Sequence, residues 1–98
     1  MSFKQISVEE TKQLIDAGNI TIIDIRDPRS YSIGHINSAI HAENIDIDTF
    51  VDEEDKEKPL LVYCYHGHSS QSAAGYFVEN GFANVYSLDG GYTAWLQE

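Results

Sequence analysis

Positive charge is scarce in this sequence: 98 residues include 6 lysines and arginines against 16 aspartates and glutamates, a formal charge of −10. Such a surface repels polyanions, which excludes a nucleic-acid backbone and an anionic membrane as expected partners. Cysteine is scarcer still. The single Cys64 has no internal disulfide partner, so nothing calls for an oxidising compartment. No run approaches the roughly 20 apolar residues that cross a bilayer, and Met1-Ser2-Phe3-Lys4-Gln5 lacks the apolar centre of a secretion signal. The expected location is therefore cytoplasmic, and Asn19-Ile20-Thr21 counts as a chance match to the glycosylation pattern. What is present suffices for one modest core: 42% of the residues are hydrophobic, which predicts a single domain over 1–98. The acidity concentrates between Asp46 and Glu57, where Asp46, Asp48, Asp52, Glu53, Glu54, Asp55 and Glu57 face one base, Lys56. Such a run reads as a solvated helix or loop.

Local signals place the elements. Ser7-Val8-Glu9-Glu10 has the capping-box arrangement and Gly18 is placed to end a helix over about Val8 to Ala17. Ile20-Thr21-Ile22-Ile23 is a β-branched run without polar alternation, as in a strand buried on both faces, and Asp27-Pro28 breaks it. Ile33 to Ile40 reads as loop plus a brief strand. A second helical piece begins near Asp48 and ends before Pro59. Leu60-Leu61-Val62-Tyr63 repeats the buried-strand signature. Ser69 to Asn80 sets Ala73, Ala74, Phe77 and Val78 at helical spacing, with Gly81 to end it. Val85-Tyr86-Ser87 reads as a strand, Asp89-Gly90-Gly91 as a turn and Tyr92 to Gln97 as a closing helix. Strands alternating with helices predict an α/β fold with a mainly parallel sheet covered on both faces.

Cys64 stands where a buried strand gives way to a tight loop and then a helix. In open α/β sheets that end of the strand faces the ligand crevice. Unpaired amides and the helix dipole there favour an anion and depress a thiol below about 8.5. Gly67 suits a sharp turn that aims loop amides at one point. A single Cys is ordinarily a buried core residue, but a core Cys needs no such loop after it.

Cys64-Tyr65-His66-Gly67-His68-Ser69-Ser70 resembles the active-site loop of the rhodanese family, and is especially similar to short bacterial thiosulfate sulfurtransferases of the glycerol-regulon type. Asp24-Ile25-Arg26-Asp27 resembles the family's D-x-R segment, Gly34-His35-Ile36-Asn37-Ser38-Ala39 its G-H-I-x-x-A segment, and Asp89-Gly90-Gly91-Tyr92-Thr93-Ala94-Trp95 its closing G-G-x-x-x-W. All are in the family's order along most of the chain. The resemblance implies that Cys64 thiolate takes the outer sulfur of thiosulfate, releases sulfite, and holds a persulfide until cyanide or an acceptor thiol removes it. Amides from Tyr65 to Ser70 (Tyr65, His66, Gly67, His68, Ser69 and Ser70 forming the substrate site) would stabilise the sulfur anions. No cofactor is implied. Thioredoxin or another thiol carrier is an acceptor suggested by the family alone.

Three other readings compete. Phosphatases of the same fold use Cys-x-x-x-x-x-Arg, whose Arg clamps the phosphoryl oxygens; here that position is Ser70, and no Arg follows Arg29. Cys64, His66 and His68 are metal-ligand types, but one tight loop spreads them poorly for a tetrahedral site. A silent partner-binding module would typically lack the Cys. The loop departs from many relatives in having Tyr65, His68, Ser69 and Ser70 where a basic residue is common, which predicts weak affinity for dianionic thiosulfate. His66 and His68 are expected to exert electrostatic influence rather than shuttle protons. Arg26 is expected in a partly buried ion pair with Asp24 or Asp27, His35 as a hydrogen-bonded structural residue, Trp95 as a core or groove anchor, and Tyr65 in the pocket wall.

Overall fold

A computed structural model describes residues 2–98. Five strands, β1 (Lys4–Ile6), β2 (Thr21–Asp24), β3 (Ile40–His41), β4 (Leu60–Tyr63) and β5 (Val85–Leu88), pair in the order β1-β5-β4-β2-β3, every pair parallel. Four helices connect them, α1 (Val8–Ala17), α2 (Pro28–Ile33), α3 (Ile47–Glu53) and α4 (Ser69–Glu79), a fifth, α5 (Gly91–Gln97), follows β5, and a 3₁₀ turn covers Ala42–Asn44. The expected α/β architecture is the one observed.

The strand period of two divides the core. From β4, Leu61 and Tyr63 point into one cluster with Ile6, Val8, Ile22, Ile36 and Leu88, onto which Leu14 and Ile15 of α1 and Tyr92 and Trp95 of α5 pack. Leu60 and Val62 point the opposite way, into Ile23, Ala74, Phe77, Phe82 and Val85, covered by Phe50 and Val51 of α3. With both faces dry, β4 has no use for alternation, and its four residues are all buried. Each such side chain stabilises the fold by about 1.5–3 kcal/mol relative to exposure.

The helix ends follow their signals. Ser7 Oγ accepts from Glu10 N while Glu10 Oε1 accepts from Ser7 N, both at 3.1 Å, and Gly18 closes α1 at φ 88°. The acidic stretch enters α3 with Asp46 as its N-cap, accepting from Asp48 N and Thr49 N. This helix stops at Glu53, earlier than its Pro59 boundary allows. Two elements escaped the sequence reading. β1 is a three-residue edge strand whose KQI pattern shows no strand signature. Asp27-Pro28 does more than end a strand: Asp27 accepts from Ser30 N as an N-cap, and Pro28 takes the first helical position of α2, where its missing N–H costs nothing.

Candidate active site

The sheet order puts β4 in the centre, so Cys64, the next residue, emerges at the middle of the carboxyl-end face. The chain needs Gly67 to turn back: its φ is 91°, and a Cβ there would lie 2.9 Å from Gly90 N and 3.1 Å from Leu88 O. The turn brings Gly67 N to 3.2 Å and Ser70 N to 3.3 Å from Cys64 Sγ, while Ser70 Oγ lies 3.4 Å away. His68, the N-cap of α4, makes no side-chain cap. The sulfur occupies that role instead. Burial pushes the Cys64 thiol up, but hydrogen bonds from the Ser70 hydroxyl and from the amides of Ser70, Gly67 and His66 outweigh it, and the thiol stands below its ordinary value.

The loop is clamped from behind. Tyr92 N donates to Cys64 O at 2.8 Å and Thr93 N to Tyr65 O at 3.0 Å, so amides in the first turn of α5 hold the carbonyls of Cys64 and of the residue after it. That approach requires Gly91, because a Cβ there would sit 2.5 Å from the Tyr65 carbonyl and 2.6 Å from Cys64 O. Gln71 Nε2 braces the loop further through Gly67 O at 2.8 Å. Neither Gln71 nor the α5 amides are visible as site components in the sequence, since each acts through the fold.

Cys64, Tyr65, His66, His68 and Ser69 line a cleft of about 170 Å³. His66 and His68 are exposed at its mouth, and His66 Nδ1 meets Thr93 Oγ1 at 3.2 Å. Ser70 is instead fully buried, its Oγ also 2.8 Å from Ser87 Oγ. Tyr65 forms the wall between this cleft and a larger one of about 390 Å³, lined by Arg26, Ser30, Ile33, Tyr92 and Leu96 among others. Its hydroxyl donates to Asp27 and meets Ser30. The hydrogen bonds from Tyr65 and Ser30 hold the Asp27 carboxyl well below the usual range. A cleft of about 450 Å³ beside α3 contains none of the loop residues. Among the described residues no group of three or more His, Cys, Asp or Glu side chains is placed to hold a metal ion.

The other motif residues do structural work. Arg26 grips Asp24 through Nε at 3.1 Å to both carboxylate oxygens and Nη2 at 2.7 Å to Oδ2, and reaches Gly34 O at 2.7 Å. Tyr63 OH donates to Asp24 Oδ2 at 2.7 Å and accepts from Ile36 N at 3.1 Å. Burial and the Asp24 carboxylate push its phenol well up. The Arg26 guanidinium lies 4.1 Å over the Tyr92 ring, and His41 Nε2 meets Arg26 O at 2.5 Å. Three sequence motifs are thereby tied together beneath the loop. His35 is exposed, stacked on Tyr31 at 3.8 Å with Nδ1 on its carbonyl. Trp95 is half-buried in the α1–α5 packing, with Lys12 Nζ 5.4 Å from its ring.

The rhodanese-like domain model matches residues 7–98. The chain belongs to the rhodanese family. It is 50% identical over 95 residues to the thiosulfate sulfurtransferase GlpE of Pseudoalteromonas translucida, covering 97% of this chain and 90% of that one. It is 48% identical to the GlpE of Shewanella oneidensis, covering 96% and 93%. Among solved structures it resembles the rhodanese-like domain of an Anabaena protein, with a TM-score of 0.80 and 28% identity over 95% of this chain and 73% of the other. In this rhodanese-like domain the loop from Cys64 to Ser70, the D-x-R segment, the G-H-I segment and the closing G-G segment converge on one end of the sheet, the end that holds Cys64.

Proposed function

We propose that this chain is a thiosulfate sulfurtransferase that carries the sulfane sulfur as a persulfide on Cys64. The observation that carries the reading is the sulfur's position: Sγ has two backbone amides and a hydroxyl converging on it at 3.2–3.4 Å, in a chain half identical to named sulfurtransferases along nearly all its length. Cys64 thiolate attacks the outer sulfur of thiosulfate. The S–S bond of thiosulfate breaks, its electron pair leaves with sulfite, and the negative charge of the former thiolate resides on the outer persulfide sulfur. Cyanide or an acceptor thiolate then attacks that outer sulfur, and Cys64 leaves as thiolate, so no net oxidant or proton is consumed. Loop amides stabilise the anion at every stage. Because the thiol is already depressed, the cycle needs no general base.

Tyr65, His66, Gly67, His68, Ser69 and Ser70 form the substrate site in this reading. Gly67 and Ser70 hold the reacting sulfur, His66 adds its amide, and the side chains of Tyr65, His66, His68 and Ser69 shape the cleft. Position 70, where a phosphatase of this fold carries its arginine, is a buried serine turned inward, which disfavours phosphoryl transfer. No helix among the described residues is long and apolar enough to cross a membrane, and we assign the reaction to the cytoplasm. The strong negative charge makes nucleic acid and anionic membranes poor partners. Thioredoxin-like thiol carriers are the proposed macromolecular acceptors, with Ile33 and Leu96, 78% and 68% exposed beside Tyr65, available for apolar contact. Mass spectrometry after thiosulfate treatment tests the reading. A gain of one sulfur atom on the Cys64 peptide, removed by a reductant or cyanide, is expected; an unmodified Cys64 overturns it.

A further inference from the structure

Behind the nucleophile lies a second hydroxyl that no motif includes. Ser87 sits in β5 with its side chain fully buried, and its Oγ is 2.8 Å from Ser70 Oγ, which is 3.4 Å from Cys64 Sγ. Ser70 is the only hydrogen-bond partner of Ser87 Oγ among the described residues. This three-atom chain has two contacts. With Cys64 as a thiol it contains three hydrogens, one each on Sγ, Ser70 Oγ and Ser87 Oγ, so one finds no acceptor within the chain, and Ser87 and Ser70, both buried, have no other among the described residues. With Cys64 ionised there are two hydrogens for two contacts, and only one arrangement satisfies both: Ser87 donates to Ser70, and Ser70 donates to the sulfur.

We infer that Ser87 is a positioning residue for sulfur transfer, fixing the Ser70 hydroxyl so that it donates to Cys64 and favours the sulfur anion over the thiol. The inference rests on the sulfur-transfer reading only for its catalytic consequence; the effect on the thiol stands by itself. Removing Ser87 takes away the donor that polarises the Ser70 O–H, and so weakens the bond from Ser70 to the sulfur anion. Other groups that bear on Cys64 are His66, His68 and Tyr65 of its own loop, Tyr92 of α5, the paired Asp24 and Arg26 at the end of β2, and exposed Asp89 after β5. All are retained in a Ser87 variant, so a difference between variant and wild type isolates the hydroxyl.

The experiment compares wild type, Ser87→Ala and Ser87→Thr by iodoacetamide reactivity against pH and by thiosulfate:cyanide kinetics from pH 5 to 10. For Ser87→Ala the alkylation midpoint is expected to rise by about 0.1–0.5 pH unit, as loss of the cooperative part of one charge-assisted hydrogen bond to the anion implies. Transfer should fall by up to about threefold below the wild-type midpoint and recover above the variant's. Ser87→Thr, which keeps the hydroxyl and suits a strand, should restore the wild-type profile. A Ser87→Ala midpoint unchanged from wild type, or a loss of transfer equal at all pH values, would overturn the inference. Because alkylation needs no sulfur donor, a shifted midpoint in a protein that formed no persulfide would uphold Ser87 and sink the sulfur-transfer reading alone.

Discussion

Adjacent strands end in two buried polar centres of opposite design. At the end of β2, Asp24 and Arg26 meet in a complete set of side-chain bonds, with Tyr63 and the Gly34 carbonyl taking what remains. Along β4, one strand over, Cys64 has no charged partner, and its sulfur faces backbone amides and a serine hydroxyl. The first centre is neutral and closed. The second is an anion site whose stabilisers cannot be titrated away and whose anion stays open to a cleft. A buried ion pair fixes geometry, because breaking it strands a charge; an amide cradle leaves its charge free to react.

The sharpest break in this comparison is Cys64→Ser. Transfer is expected to vanish, by at least about a thousandfold, because a hydroxyl cannot supply the low-lying anion, while urea unfolding moves by less than about 1 kcal/mol. The sign of the residual is fixed. A depressed thiol contributes stability that is full above the unfolded value of about 8.5 and is lost as pH falls through the lower folded value. The stability gap between wild type and Cys64→Ser should therefore widen from acid to alkaline pH, and a flat gap would remove the cradle from the account.

Asp24→Asn is the converse. It leaves the Arg26 charge buried without its counter-ion and should cost about 3 kcal/mol or more in urea unfolding, and any movement of the Cys64 alkylation midpoint should be downward, since an uncompensated cation favours a nearby anion. An upward shift would mean that Asp24 supports the thiolate and that the two centres are one. Gly91→Ala attacks the clamp between them. The added Cβ displaces the Tyr65 carbonyl, and a shift of the nucleophile by about 1 Å costs on the order of a hundredfold in transfer rate, with a stability loss of about 2 kcal/mol or more from the backbone clash and the positive φ. The smallest effect belongs to His66→Ala and His68→Ala, each expected to slow transfer about two- to fivefold. A loss of a hundredfold or more, the scale of general acid–base catalysis, would assign them protons to move.

Much of the molecule was legible in its sequence because buried parallel strands announce themselves. Leu60–Tyr63 has the bounds read from its apolar run, and α1 has those set by Ser7 and Gly18. β1 was not legible, since an edge strand of three mostly polar residues owes its state to β5 beside it. Nor was α2, where Asp27-Pro28 serves equally to stop a strand and to start a helix. At the site, the loop from Cys64 to Ser70 stood out by its order of strand, Cys, Gly and helix. Ser87 did not, because its partner is 17 positions away. Its one trace was a hydroxyl in a strand otherwise composed of Val, Tyr and Leu. Arg26 was read as an ion pair, which it forms with Asp24 rather than Asp27.

A helix that begins without a side-chain cap has its first turn secured by the sulfur it activates. Each passage through the cycle replaces that cap: the bare thiolate gives way to a neutral bridging sulfur with its charge about 2 Å further out, then returns. The amides of Gly67 and Ser70 thus follow the cargo, and their exchange with solvent deuterium becomes a clock of occupancy, slow when an anion sits against them and faster when it has been alkylated away. Sulfur chemistry and the fraying of α4 are in this sense one equilibrium viewed from two ends.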